Sequence, residues 1–320
     1  MHVFLVLATA QTADPPAALQ ISRSTYSLSA TALLKRSSRD AKTNVTGPAR
    51  IRARIGLTES FRAFNSSRYL RVNGFDMSSG RASYDAGHIP TAGFADLTGE
   101  LCDRDSPFRC AIPTPEQFCD AMAALGVGDD SQVVLYDSMM SACAARVWWM
   151  LRWVGFDQAA LVDGGLRAWT AENRPLSTEV ANRPAKTLTP SLRPELIADR
   201  DEVFASMDSD AVCLVDTLSN AHYRGEQAMY ARPGHIPGAV HTSCADLLDQ
   251  SGRYKPRSDL AAMIRGDRSA RTITYCGGGI AASSNAFIMT RLGFTDVSVY
   301  AASLQEWTAD PANPMVVEVD

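Results

Sequence analysis

One short segment, residues 271–283, constrains the fold of this chain more than any other part of it. The β-branched residues 272–274 and Tyr275 predict a buried strand, Cys276 follows at its end, and small residues beyond three glycines open a helical pattern. A strand, a tight turn and a helix N-terminus direct backbone N–H groups and the positive end of the helix dipole at the sulfur. Such surroundings favour a thiolate. The segment therefore predicts a reactive cysteine, Cys276, on a loop formed by Gly277, Gly278, Gly279, Ile280 and Ala281.

The chain also repeats itself, because landmarks of its first half return in its second half. The sequence Gly-His-Ile-Pro occurs at 87–90 and again at 234–237. Three other landmarks return at nearly constant offsets, which are 138 residues for two of them (294 − 156 and 307 − 169) and 139 for the third (276 − 137). Such regularity indicates a duplicated domain. The three pairs are Asp137 with Cys276, Phe156 with Phe294, and Trp169 with Trp307.

Each half alternates short apolar runs with helical patterns, which is typical of an α/β domain. In the second half, apolar strands are predicted at 211–215, 272–275 and 297–300, and helices at 258–265 and 282–292. We therefore expect two tandem domains, each a mostly parallel sheet flanked by helices. Cys276 then lies at the carboxyl end of a strand, where such sheets bind ligands. The expected divisions are an N-terminal extension at 1–57, a first domain at 58–178, a linker at 179–194 and a second domain at 195–320.

The N-terminal segment 1–57 differs in composition from the rest of the chain. It has eight Lys and Arg residues against two acids, Asp14 and Asp40, and it is rich in serine and threonine. This pattern suits an organellar transit peptide, and a secretory signal is a poorer alternative because no basic region precedes the apolar run at 3–7. A disordered extension or a mis-chosen start codon is the other interpretation. We expect a cytoplasmic protein, with a mitochondrial location as the alternative if the segment is a transit peptide.

Composition excludes several classes of function. The formal net charge of −4 gives no basic excess for nucleic acid, and no run approaches the ~20 apolar residues of a membrane helix. The seven cysteines form no Cys-x-x-Cys pair, and no cluster of ligand residues has metal-binding spacing. We therefore expect a reducing compartment, no metal, no cofactor, no nucleic acid partner and no membrane partner.

Several ordered motifs resemble those of the rhodanese family, and specifically its tandem-domain thiosulfate and 3-mercaptopyruvate sulfurtransferases. The resemblance covers roughly residues 58–320 and implies a catalytic second domain and a first domain that has lost its cysteine, with Asp137 in its place. The motifs are GHIP at 87–90, DGGLRAW at 163–169, DTLSNAHYRGE at 216–226, GHIPGAV at 234–240, CGGGIAAS at 276–283 and SLQEW at 303–307.

The resemblance implies that a sulfane sulfur passes from an anionic donor, 3-mercaptopyruvate or thiosulfate, through a Cys276 persulfide to an acceptor. Cyanide, a small thiol or a thioredoxin-like protein is the expected acceptor. Arg224 and Arg232 are the expected donor-binding residues, because arginine holds carboxylate and oxyanion groups well. Two departures bear on the donor: Leu218 stands where the family often has arginine, and the loop carries no cation. The bare loop resembles the mercaptopyruvate type more closely, although it lacks the serine that is usual there.

Two other functions are compatible with a cysteine at this position. Cysteine phosphatases need an arginine six residues after the nucleophile, and Ala282 stands there, so phosphate binding lacks its anchor. A carrier or redox-sensing module that accepts sulfur or is oxidised without turnover is the second alternative.

The other distinctive side chains have structural interpretations. We expect His88 and His235 to hold turns, and Asp163 to lie in a turn. The tryptophans are expected in the core, at positions Trp148, Trp149, Trp153, Trp169 and Trp307.

Overall fold

The computed structural model describes residues 3–8, 21–22, 80–207, 209–264 and 266–318, with the backbone alone for the first two ranges. Most of the predicted N-terminal extension therefore lies outside the described residues. Within them, no helix is long and apolar enough to cross a bilayer. The structure is an α/β protein with two five-stranded sheets and helices packed against them, as the alternating pattern predicts.

The second sheet has the order β6-β10-β9-β7-β8, and every pair of neighbouring strands in it is parallel. Its central strands are buried nearly throughout, which is why they appear in the sequence as continuous apolar or β-branched runs. The predicted strands at 211–215, 272–275 and 297–300 are confirmed within one residue. The strands are β6 (Ile197–Ala198), β7 (Val212–Asp216), β8 (Val240–His241), β9 (Arg271–Tyr275) and β10 (Val297–Tyr300).

Helices connect these strands, and the predicted helices at 258–265 and 282–292 are both present. The second of them begins two residues earlier than its apolar pattern, directly after the glycines. Two 3-10 turns lie at Pro194–Leu196 and Cys244–Leu247. The helices are α5 (Arg200–Ser206), α6 (Asn220–Arg224), α7 (Arg257–Met263), α8 (Ile280–Leu292) and α9 (Ser303–Trp307).

The first sheet has the order β2-β5-β4-β1-β3, in which β4 and β5 are parallel. Strands β1 and β2 belong to the segment that the sequence assigns to an extension, and both pair antiparallel with this sheet. β1 lies between β4 and β3, the place that β7 has in the second sheet. The strands are β1 (Val3–Ala8), β2 (Ile21–Ser22), β3 (Gly93–Ala95), β4 (Gln132–Asp137) and β5 (Ala159–Val162).

The domains meet along two long helices, α3 and α8, which begin at equivalent loops. Trp148 of α3 meets Phe287 of α8 edge to face, with ring centroids 4.9 Å apart. Four of the five tryptophans are buried in the core as predicted, and Trp169 is partly buried against a smaller cluster. The helices of the first domain are α1 (Arg81–Ala86), α2 (Pro115–Ala124), α3 (Ala142–Trp153) and α4 (Gly165–Ala171).

The two Gly-His-Ile-Pro histidines have nearly the same surroundings. The ring of His88 stacks on Tyr84 at 3.9 Å and its Nδ1 lies 2.9 Å from the Tyr84 carbonyl oxygen. The ring of His235 stacks on Tyr223 at 3.8 Å, with Nδ1 2.7 Å from the Tyr223 carbonyl. The two histidines share this arrangement, although only the second half contains Cys276. The shared arrangement therefore favours the structural interpretation of both histidines.

Candidate active site

Cys276 follows β9 directly and lies just before the first turn of α8. Its side chain is 2% exposed, and Sγ accepts a hydrogen bond from the backbone N–H of Gly279 at 3.1 Å. Gly279 is the N-cap of α8, so the sulfur lies at the positive end of a 13-residue helix. Ile280 and Ala281, expected in the loop, form the first turn of that helix. An anionic sulfur at this position is stabilised by the amide and by the helix dipole.

The glycines of the loop are required by close approach to their neighbours. Gly279 has a φ of +79°, and a Cβ there would lie 2.6 Å from the carbonyl oxygen of Ala301. A Cβ on Gly277 would lie 2.6 Å from Sδ of Met229 and 3.1 Å from the hydroxyl of Tyr230. The bare loop therefore lets other parts of the protein pack closely against the glycines beside Cys276.

Ser303 locks the other side of the cysteine. Its hydroxyl oxygen accepts a hydrogen bond from the backbone N–H of Cys276 at 3.1 Å and donates to the carbonyl of Tyr300 at 2.6 Å. Ser303 has a φ of +54°, a backbone conformation that is uncommon outside glycine and recurs at functional sites. The N–H of Leu304 donates to the carbonyl of Cys276 at 3.1 Å, so α9 fixes the backbone of Cys276.

The first domain forms part of the wall around this loop. The amide of Gln305 bonds twice to the backbone of Arg109, accepting from its N–H at 3.0 Å and donating to its carbonyl at 3.1 Å. Arg109 has an exposed side chain. Burial and the nearby sulfur of Cys276 raise the pKa of Tyr230 to about 12, and the charge of Arg109 opposes that rise. Burial and the same sulfur raise the pKa of Cys244 to about 12, so Cys244 is a thiol at neutral pH.

A buried arginine of the first domain also reaches the loop. Arg146 of α3 is 1% exposed, and a Cβ on Gly279 would lie 2.8 Å from its Nη1. Its Nη2 donates to the carbonyl of Cys110 at 3.1 Å. Burial lowers the pKa of the Arg146 guanidinium, and the nearby thiols of Cys110 and Cys276 act in the opposite direction.

The two arginines that the resemblance suggests for donor binding lie in the second domain and differ in their surroundings. Arg232 donates to four backbone carbonyls of the C-terminal segment, at Trp307, Thr308, Asp310 and Asn313, over 2.6–3.3 Å. That geometry favours a role in holding the C-terminal segment, and donor binding by Arg232 stays a prediction. Arg224 ends α6 and forms an ion pair with Glu226 at 3.1 Å.

The equivalent loop of the first domain contains a carboxyl group in place of the sulfur. Asp137 is fully buried, and its oxygens accept hydrogen bonds from the N–H groups of Met139 at 2.9 Å, Ser141 at 3.0 Å and Ala144 at 3.0 Å. Burial raises the pKa of Asp137, and the amide donors offset part of that rise. This domain therefore fills its own amide cradle with its own side chain.

Metal binding and the remaining cysteines can also be assessed on the described residues. Within them, no three His, Cys, Asp or Glu side chains are grouped so that they could hold a metal ion. The seven cysteines are all free thiols. Cys276 is the one among them with a hydrogen bond from a helix N-cap amide.

Several residues of the site were missed by the sequence reasoning. Ser303 and Gln305 lie within the motif SLQEW, whose position in the repeat indicates a duplication but no role for either side chain. Arg146 is one of two cations in the otherwise apolar helix 142–153, and that contrast is a signal that could have identified it. Arg109 and Tyr230 lie in irregular loops with no pattern that indicates the site.

The comparisons with known proteins agree with this architecture. The family model for the rhodanese-like domain matches residues 75–172 and again residues 199–310. The chain is 34% identical over 252 residues to the probable 3-mercaptopyruvate sulfurtransferase of Pseudomonas aeruginosa, with 75% of this chain and 88% of that protein covered. It is 32% identical over 251 residues to the human 3-mercaptopyruvate sulfurtransferase, with 76% and 83% covered.

The chain is also similar to a thiosulfate sulfurtransferase and to one solved structure. Identity to the thiosulfate sulfurtransferase of Bos taurus is 31% over 265 residues, covering 78% of this chain and 89% of that protein. The anaerobic ergothioneine biosynthesis enzyme from Chlorobium limicola, solved with its natural substrate trimethyl histidine, matches with a TM-score of 0.65 and 25% identity. That match covers 75% of this chain and 63% of the other, so the chain spans less than two thirds of that enzyme's length.

Proposed function

The chain belongs to the rhodanese family, whose domain it contains twice, and on that premise we propose that it is a sulfurtransferase in which Cys276 carries the sulfur. One observation supports this assignment most directly. The sulfur of Cys276 accepts the N–H of Gly279 at a helix N-terminus, where a negative charge on sulfur is favoured. The equivalent position of the first domain is Asp137, which has no sulfur to transfer.

The reaction proceeds in two displacements at one sulfur atom. The Cys276 thiolate attacks the thiol sulfur of 3-mercaptopyruvate, an S–S bond forms, and the C–S bond breaks with its electron pair going to carbon. That carbon takes up the thiol proton, so pyruvate leaves and the enzyme holds a persulfide anion. A thiol or cyanide then attacks the outer sulfur, and the Cys276 thiolate leaves. Division into two easier steps through a covalent intermediate is nucleophilic catalysis.

The loop amide acts most strongly on the anionic forms of this cycle. The N–H of Gly279 points at the sulfur before the reaction, so no reorganisation is needed as charge moves onto the outer sulfur. One such donor lowers a barrier by on the order of 3 kcal/mol in comparable sites. Ser303 keeps the backbone of Cys276 in place while the side chain changes its bonding.

For the donor we propose 3-mercaptopyruvate over thiosulfate. The loop offers amides and no cation of its own, which suits a donor carrying one carboxylate better than a small dianion. The donor's carboxylate needs a cation near the mouth of the site, and we propose Arg224 for that role. Arg109 is a second candidate, because its charge acts on Tyr230, whose hydroxyl lies beside Gly277 of the loop. Arg224→Ala should raise KM for 3-mercaptopyruvate at least tenfold, and an unchanged KM removes Arg224 from the site.

For the acceptor and the location we propose a thiol, with a thioredoxin-like protein as one form of it, in the cytoplasm. The seven free thiols support a reducing compartment. Fractionation of cells that express the full chain would distinguish this from the mitochondrial alternative.

The experiment combines mass spectrometry of the intact enzyme with turnover kinetics. Incubation with 3-mercaptopyruvate should add one sulfur at Cys276, and cyanide should remove it over many turnovers with release of thiocyanate. Cys276→Ala should abolish both, whereas Cys213→Ala, at a cysteine in β7, should leave both intact. An adduct on another cysteine contradicts the site, and one stoichiometric adduct without turnover favours the carrier function.

A further inference from the structure

Arg146 is placed so that its charge acts on the catalytic loop from the neighbouring domain. It projects from α3 of the first domain and is 1% exposed. Its Nη1 would lie 2.8 Å from a Cβ on Gly279, the residue whose N–H bonds to the sulfur of Cys276. The guanidinium therefore packs directly against the turn that forms the amide cradle.

The bonding of this guanidinium is incomplete. Among the described residues, Nη1 has no hydrogen-bond partner, although it is fully buried. A buried donor without a partner costs about 1–3 kcal/mol, and a buried cation costs more unless a negative charge balances it. Nη2 bonds to a carbonyl, and the ring of Trp149 lies 5.0 Å from Cζ, but neither supplies a negative charge. The nearby sulfurs that favour the charged form of Arg146 are, in decreasing order, those of Cys110, Cys276 and Cys102. Burial raises the pKa of Cys110 to about 11 and also raises that of Cys102, whereas the sulfur of Cys276 accepts an amide hydrogen bond at a helix N-terminus, where a thiolate is stabilised.

The first domain's loop provides an internal comparison. By the offset of 138 residues that relates α3 to α8, the counterpart of Arg146 is Ser284 (284 − 146). Ser284 is neutral and lies 2.9 Å from the hydroxyl of Tyr254, whose pKa is raised by burial and by nearby Asp137 among other groups. The guanidinium of Arg146 thus lies beside the loop that follows Cys276. The hydroxyls of Ser284 and Tyr254 lie on the side of the Asp137 carboxyl group instead.

We propose that Arg146 supplies the positive charge that balances the sulfur of Cys276, both as the thiolate and as the persulfide anion. This rests on the proposed function. This role of Arg146 accounts for the absence of cations from the loop 277–279. The first domain supplies the positive charge, so the loop needs no cation of its own. Arg146 is a positioning residue, since it acts through the field at the sulfur and through the turn at Gly279.

The test measures the reactivity of Cys276 without any donor. The rate of alkylation by iodoacetamide, an uncharged reagent, is followed by mass spectrometry of the Cys276 peptide between about pH 5 and pH 10. Arg146→Met should fill the buried space without charge, slow alkylation at pH 7 about tenfold and shift the midpoint of the profile upward by about one unit. Arg146→Gln should act in the same way, and Arg146→Lys, which keeps the charge, should stay within about threefold of the wild type.

Arg152 offers a matched control on the same helix. It is also buried, and its Cζ lies 5.0 Å from the ring of Trp148, but it pairs with Asp157 at 3.7 Å. Arg152→Met should therefore leave the alkylation profile of Cys276 unchanged. The titratable groups around the sulfur and Arg146 include Tyr230 and Cys244, whose pKa values are raised to about 12, and Cys110, whose pKa is raised to about 11. Burial raises the pKa of Cys102 as well. All four groups are present in every variant.

Two results would overturn the proposal. One is a folded neutral variant, verified by near-UV circular dichroism, that reacts at the wild-type rate across the profile. The other is an equal loss in Arg152→Met, which would assign the effect to a loosened first domain. If Arg146→Met and Arg146→Gln both fail to fold, an Arg146→Lys profile shifted by a full unit also overturns it. A failure of sulfur transfer in the wild type is separate, because alkylation needs no donor.

Discussion

The loops that follow β4 and β9 occupy equivalent places in the two domains and differ in what fills them. In the first domain four residues, 138–141, lead from Asp137 to α3, and in the second three glycines lead from Cys276 to α8. Both helices have a left-handed residue as N-cap, Ser141 with a φ of 59° and Gly279 with a φ of 79°. The backbone thus offers its amides to the strand end in both places. The first domain uses them for its own carboxyl group, and the second leaves them for a sulfur.

The first residues of α4 and α9 show the same partial equivalence. Gly165 and Ser303 are related by the 138-residue offset and share a φ of 54°. Gly165 approaches the Asp137 carbonyl so closely that a Cβ would lie 2.4 Å from that oxygen, whereas Ser303 adds a hydroxyl that holds the N–H of Cys276. The comparison indicates that the two halves share the scaffold of the loop and that the second half carries the hydroxyl that fixes the backbone of Cys276.

The largest effect is expected from Gly279→Ala. A methyl group at this position meets the Ala301 oxygen at 2.6 Å and Nη1 of Arg146 at 2.8 Å, on a backbone that favours glycine. The turn must shift, so the N–H bond to the sulfur is lost, and kcat should fall by about a hundredfold. Steady-state kinetics with 3-mercaptopyruvate and cyanide measure this. Ser141→Gly, at the equivalent N-cap of the first domain, should leave kcat within about twofold, and equal losses in the two variants would refute the assignment of the amide to catalysis.

An intermediate effect, on stability, is expected from Asp137→Ala. Three N–H groups lose their acceptor, which should lower the free energy of unfolding by about 2 kcal/mol. Because burial raises the pKa of Asp137, the folded state holds the proton more tightly than the unfolded chain does. The contribution of Asp137 is therefore full below about pH 4 and decreases as the pH rises through the folded pKa.

Urea unfolding of both proteins at about pH 4 and about pH 8 checks this sign. The difference between wild type and Asp137→Ala should be larger in acid. A difference that grows with pH would mean that the amides hold a carboxylate whose pKa is lowered, and that the two cradles are electrostatically alike. The rate of alkylation at Cys276 should not change in this variant.

Much of this comparison could be predicted from the sequence, for reasons that lie in its local patterns. Buried parallel strands appear as continuous apolar runs, so 297–300 was placed correctly, and the cysteine between a strand and three glycines identified the loop. A cation in an otherwise apolar helix marks Arg146 as unusual, but its packing against Gly279 could not be predicted, because it depends on the packing of α3 on α8, and Arg146 lies 130 residues before Cys276 (276 − 146). The bonds of Arg232 to four carbonyls are equally non-local. The pairing of the strand at 3–8 with β4 could not be predicted either, because nothing in its sequence indicates a partner strand.

The smallest effect is expected where each domain holds the other. Gln305 of the second domain bonds twice to the backbone of Arg109, and its counterpart Arg167 donates to the carbonyl of Gln250 at 2.9 Å. Gln305→Ala should cost about 1 kcal/mol of unfolding free energy and raise KM for 3-mercaptopyruvate a few-fold, because Arg109 lies beside the loop with the cysteine. Arg167→Ala removes an exposed bond beside the loop without a nucleophile, so KM should not change. Parallel kinetics of both variants decide whether the two contacts are alike, and an equal rise in KM would show that domain separation alone weakens donor binding.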